Sequence, residues 1–120
     1  MRKINFYTTE SGKKPIQEFL DQLNEKQSSK VLWVLKFIRE HEKVPGQYFK
    51  KLTNTDGLWE ARVAQGNNIF RFLCFFDGDN IIVLTNGFQK KTQKTPKQEI
   101  ALAETRKKEY LARKNDGWPW

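Results

Sequence analysis

The sequence predicts an α+β fold: an N-terminal strand, a helical hairpin, an antiparallel three-strand meander and a C-terminal helix, in one small domain. Three observations predict it. Apolar residues recur at helical spacing between Pro15 and His41. Three strand-like runs follow from Trp59 to Phe88, divided by Gly66-Asn67-Asn68 and by Asp77-Gly78-Asp79-Asn80. A helix-start signature, Thr95-Pro96-Lys97-Gln98, then opens the last segment.

In R-K-I-N-F-Y-T, Ile4 and Phe6 alternate with polar residues and read as a short strand. Ser11-Gly12 breaks it, and Pro15 suits the first turn of a helix. Ile16, Phe19, Leu20 and Leu23 form one face of that helix. Asn24 and Gln27 form a capping box for a second helix, from Glu25 to about His41. Its stripe is Val31, Leu35 and Ile38, widened by Leu32, Trp33, Val34 and Phe37, and Pro45-Gly46 ends it. Residues 47–57 read as a connector carrying Lys50 and Lys51. In the first meander strand Trp59, Ala61 and Val63 face one way, Glu60 and Arg62 the other. Ile69 to Phe76 is almost continuously apolar, as a central strand is. Ile81 to Phe88 completes the meander. In the final helix Thr95 caps, Pro96 takes the first position and Gln98 closes the box, and the helix reaches about Lys114. The domain spans residues 1–114. The tail, 115–120, contains Trp118-Pro119-Trp120 and has no assigned role.

At 120 residues the chain buries a core without disulfides or metals, and nine Phe and four Trp supply much of it. No stretch approaches the ~20 apolar residues of a membrane span, and the N-terminus lacks a signal-peptide apolar region. A cytoplasmic protein is therefore expected. The lone Cys74, inside F-L-C-F-F, reads as a small core residue. His41, the single histidine, reads as a helix-end or solvent residue. One His, one Cys and no acidic cluster at ligand spacing argue against a metal centre, and no cofactor is expected.

The net charge is +8 and unevenly spread. Residues 86–114 hold nine Lys/Arg against three Glu, a net of +6, and the other 91 residues carry +2. A concentration of this kind points to a polyanionic partner, nucleic acid or an acidic protein, or else to a solvated basic helix face. Arg62 and Arg71 lie inside strands, where a cation needs a reason. A sheet face carrying arginines, with lysines at its exit, suits phosphate. Each candidate has a structural alternative. Arg71 can pair with Glu60 across the hairpin, Arg62 can pair along its own strand, and Lys90, Lys91 and Lys94 can be a solvated or RNA-binding loop.

Four features carry a family resemblance: L-W-E-A-R-V, N-I-F-R-F-L-C-F-F, G-F-Q-K-K-T-Q-K-T-P, and an N-terminal strand followed by a helical hairpin. Over about residues 1–112 the chain resembles the RelE/ParE toxin superfamily, and within it the HigB-like branch, also called phage Gp49-like. G-F-x-K-K-T-x-K-T-P is the most specific feature, since it joins a basic cluster to a helix start at fixed spacing. The resemblance implies the toxin of a type II toxin–antitoxin pair. It implies a metal-independent, ribosome-dependent mRNA endoribonuclease in which the ribose 2′-hydroxyl attacks the adjacent phosphate. The ends are a 2′,3′-cyclic phosphate and a 5′-hydroxyl.

By the same resemblance Arg71 holds the scissile phosphate, Arg62 matches a basic position of the site on the preceding strand, and Lys90, Lys91 and Lys94 lie where relatives place catalytic cations. Among the lysines Lys94 is favoured for proton transfer, because it lies closest to the start of the last helix. Lys50, Lys51, Lys97, Arg106 and Lys107 are assigned to RNA and ribosome binding. The implied partners are a HigA-like helix-turn-helix antitoxin, operator DNA reached through it, the ribosome and mRNA. The chain departs from RelE-type members in two ways. Glu60 stands where a distant member has a lysine, and no Tyr lies between Gly87 and Glu109. Two alternatives follow: a noncatalytic ParE-like gyrase inhibitor, or an inactive phage-derived binding module on the same fold.

Overall fold

A computed structural model describes residues 1–117. The elements are β1 (Lys3–Phe6), α1 (Pro15–Asp21), α2 (Glu25–Glu40), β2 (Phe49–Lys51), β3 (Leu58–Gln65), β4 (Asn68–Asp77), β5 (Ile81–Gln89) and α3 (Lys97–Asn115). All five strands form one mixed sheet in the order β1-β5-β4-β3-β2. The expected antiparallel three-strand meander with a C-terminal helix is therefore corrected. β1 joins the sheet by pairing in parallel with β5, Ile4 opposite Ile82 and Phe6 opposite Leu84. β2 lies within the expected connector and forms the other edge, antiparallel to β3, with Lys50 opposite Glu60. Neither pairing is written locally. β1 and β5 lie far apart along the chain, and a three-residue strand with two lysines is too short to show an alternating pattern.

Helices cover both faces. Ile16 and Leu20 of α1 and Val31, Val34, Leu35 and Ile38 of α2 pack on Ala61, Val63, Phe70, Phe72, Cys74, Ile82 and Leu84. On the opposite face Ala103 and Tyr110 of α3 pack on Leu58, Leu73, Phe75 and Val83. The period-2 alternation of the strands sends each set to its own side. In the α2 capping box Asn24 Oδ1 accepts from Gln27 N at 2.8 Å, and Gln27 Oε1 accepts from Asn24 N at 3.0 Å.

α3 begins differently from the sequence reading. Pro96 occupies the cap position with no side-chain cap bond, so Thr95 does not cap the helix. A β-bulge in β5 sets the helix instead. The β4–β5 register shifts between Leu73 and Cys74, leaving Thr85 as the extra residue. Thr85 Oγ1 donates to Leu73 O at 3.0 Å and to Asn86 Oδ1 at 2.7 Å. Asn86 Nδ2 then donates to Glu99 O and Glu99 Oε1, at 3.2 and 2.9 Å. The buried Asn86 thus ties the first turn of α3 to the sheet. The far end is tied by Tyr110, whose hydroxyl donates to Asp77 Oδ2 at 2.7 Å. The tail residues Trp118, Pro119 and Trp120 lie outside the described residues.

Candidate functional site

The face of the sheet that carries α3 has a partly exposed corner, where Glu60, Arg62, Arg71 and Lys90 come together. β3 and β4 align Arg62 directly opposite Arg71. Two like charges so placed repel one another. Glu60, two residues earlier on β3, lies on the same face and answers them. Its Oε1 sits 3.1 Å from Arg62 Nε and 3.2 Å from Arg71 Nε. Its Oε2 accepts from Thr95 Oγ1 at 2.6 Å. The Glu60 side chain is 0% exposed, against 25% for Arg62 and 13% for Arg71. A carboxylate buried so completely needs partners, and it has three.

The two arginines are held unequally. Arg62 Nε donates a formed hydrogen bond to Glu60, and Arg62 Nη1 reaches Gly46 O at 3.4 Å. Arg71 Nε lies within ion-pair reach of Glu60 but is poorly aligned. It is the buried side-chain polar atom without a hydrogen-bond partner among the described residues. Arg71 Nη1 donates to Phe70 O at 3.2 Å, and Nη2 has no partner among the described residues. Glu60 therefore restrains Arg71 by charge and leaves Nη2 without a partner among the described residues. Burial lowers the Arg71 pKa, Glu60 opposes that shift, and Arg62 adds to it. Arginine stays charged at any pH of interest.

Lys90 completes the corner. It follows β5, and its backbone N–H donates to Ile69 O at 2.7 Å. β5 aligns Phe88 opposite Arg71, so Lys90, two residues on, emerges on the same face. Burial and then the charge of Arg71 lower its pKa below the ordinary lysine value, Glu60 opposes, and Arg62 adds to the lowering. The four groups together carry a net charge of +2. A net positive corner of this kind attracts an anion.

The other candidates lie around or away from it. Lys91 and Lys94 are exposed in the loop between β5 and α3, and Lys97 is exposed at the first residue of α3. Lys50 and Lys51 are exposed on β2, and Lys50 leaves the sheet on the Glu60 face. Arg106 and Lys107 turn inward. Arg106 Nη1 donates to Thr85 O at 2.8 Å, and Lys107 Nζ donates to Asp56 O at 2.5 Å. Cys74 is fully buried and burial raises its pKa, so it stays a thiol in the core. His41 caps α2, with its ring stacked 4.0 Å from Phe37. A concavity lined by Lys26, Lys30, Trp33 and Gln65 among others lies on the α2 side and contains none of the corner residues. Among the described residues no cluster could hold a metal ion, and no helix is long and apolar enough to cross a membrane.

The sequence reading offered Glu60 as the partner of Arg71 across the hairpin and of Arg62 along its own strand, and both ion pairs form. It missed Thr95, which read as a helix cap. Nothing local distinguishes Thr95 from a cap.

Residues 18–108, which include the whole corner, match the phage-derived protein Gp49-like family (DUF891). The chain belongs to this family. The family lies within the RelE/HigB-like toxin superfamily, and membership is consistent with a toxin-like module of toxin–antitoxin type. A comparison with curated proteins gives no match.

Proposed function

We propose that this Gp49-like chain is the toxin of a type II toxin–antitoxin pair, of the HigB-like branch, and cuts mRNA on the ribosome without a metal ion. The observation that carries the proposal is the meeting of Arg62, Arg71 and Lys90 at one partly exposed corner of the sheet. Transesterification by a 2′-hydroxyl needs a cradle for the charge that grows on the phosphate, and groups that move protons. Arg71, with Arg62 beside it, supplies the cradle. The 2′-oxygen bonds to phosphorus, the bond from phosphorus to the 5′-oxygen breaks, and that oxygen leaves with a proton. Lys90 suits proton transfer better than the exposed Lys94, because burial and two guanidinium charges favour its neutral form. Lys50, on the Glu60 face, and the exposed Lys91, Lys94 and Lys97 before and at the start of α3 add charge suited to an RNA backbone.

Purified protein added to ribosomes programmed with a defined message tests the proposal. Fragments with 5′-hydroxyl ends, formed far faster on the ribosome than on naked RNA, are the expected result. Equal cutting of naked RNA, or a folded protein that leaves ribosome-bound message intact, overturns it.

A further inference from the structure

Two arginines aligned opposite each other would splay apart without an anion between them. Glu60 supplies that anion from inside the fold, using Oε1 for both Nε atoms. The contacts fall on the inner nitrogens of the guanidinium groups. Of the outer nitrogens, Nη1 of each arginine reaches a backbone carbonyl, Gly46 O or Phe70 O, and Arg71 Nη2 has no partner among the described residues. The carboxylate is itself fixed from the other direction by Thr95, in the loop that leads into α3. We propose that Glu60 is a positioning residue, locked by Thr95, that holds Arg71 and Arg62 side by side as a phosphate cradle before substrate arrives. This rests on reading the corner as a site that cuts ribosome-bound mRNA. An apolar residue at position 60 would suit its buried surroundings but would leave Arg62 and Arg71 opposed and unheld. A cradle assembled in advance costs no reorganisation at the moment of reaction, which is how fixed charges accelerate a step.

The test uses Glu60→Gln, Thr95→Val and Thr95→Ser in the full chain. It reads single-turnover cleavage on programmed ribosomes, ribosome binding across salt, and the Arg71 Nε–H resonance of the labelled protein. Glu60→Gln raises the corner charge from +2 to +3, so counterion release should make binding equal or tighter. Turnover should nonetheless fall about 10²-fold, as for a reacting group displaced by about an ångström. Thr95→Val, in a partly exposed loop position, should lower turnover about tenfold with binding unchanged, a milder case of the same misplacement, and Thr95→Ser should restore it. The Arg71 resonance should be sharp in the wild type and broadened in Thr95→Val.

Folded Glu60→Gln and Thr95→Val proteins with wild-type turnover and an unchanged Arg71 resonance overturn the inference. So do losses that track only the folded fraction. If Glu60→Gln does not fold, Thr95→Val decides. If the wild type cuts no ribosome-bound message, the functional reading falls, and the Arg71 resonance alone judges the positioning: broadened supports it, unchanged overturns it.

Discussion

Lys90 has two effects that one substitution separates. Its folded-state pKa lies below the ordinary lysine value, so between those two values the unfolded chain binds more protons than the folded one. Stability therefore rises with pH through that window, and below it the charged lysine disfavours the fold. Lys90→Met removes that cost. It should raise the thermal midpoint slightly at neutral pH while abolishing turnover. Thermal unfolding beside single-turnover cleavage checks both, and a variant that loses stability and keeps activity contradicts the assignment. For the wild type, a neutral lysine acting as base should give a rate that rises with pH and levels off below the pH where an ordinary lysine would. Arg62 and Arg71 were visible in the sequence because a cation inside a strand stands out. The choice of Lys90 over Lys94 was not, since it depends on which lysine lies beside the guanidinium groups. Helix-end proximity points to Lys94, whereas burial and the neighbouring guanidinium charges favour Lys90 in the reading proposed above.

At the scale of elements, helices were easier to read than the sheet. The α2 capping box and apolar stripe are local patterns, and both hydrogen bonds of the box form. Sheet order is not local. β1 and β2 gain their places only by pairing with β5 and β3. The glycine of G-F-Q-K-K also has a packing role. A Cβ at Gly87 would lie 2.7 Å from two ring carbons of Phe72 and 3.3 Å from Phe19. Phe72 is fully buried and cannot move aside freely. Gly87→Ala should destabilise by about 1–3 kcal/mol, the usual range for overpacking a core. Urea unfolding measures it, and an unchanged midpoint would show that β5 can shift. Because β5 leads directly to Lys90, the same variant should also weaken cleavage.

Across the whole molecule the fold narrows the basic region. Of the nine cations between residues 86 and 114, Arg106, Lys107, Arg113 and Lys114 contact groups within the fold. The sequence showed a +6 segment but not which of its charges face outward, because that depends on the rotation of α3 against the sheet. What remains concentrated is the segment 90–97, tied to the corner through Thr95, with Lys50 on the same face of the sheet. An antitoxin that silences the chain should place acidic residues there. Co-purification with the neighbouring gene product should give a salt-sensitive complex that Lys91→Glu and Lys94→Glu weaken together. A complex indifferent to both changes would place the partner elsewhere. The central claim is that Arg71 holds the phosphate at which mRNA is cut during translation. The most direct measurement is induced expression of the chain and of Arg71→Ala, followed by mapping of mRNA 5′ ends. The wild type should arrest growth and leave new 5′-hydroxyl ends inside translated messages, and folded Arg71→Ala should lose about 10²–10³ in cutting rate, as when one transition-state charge donor is removed. New ends at equal frequency in both, or none in either, would contradict it.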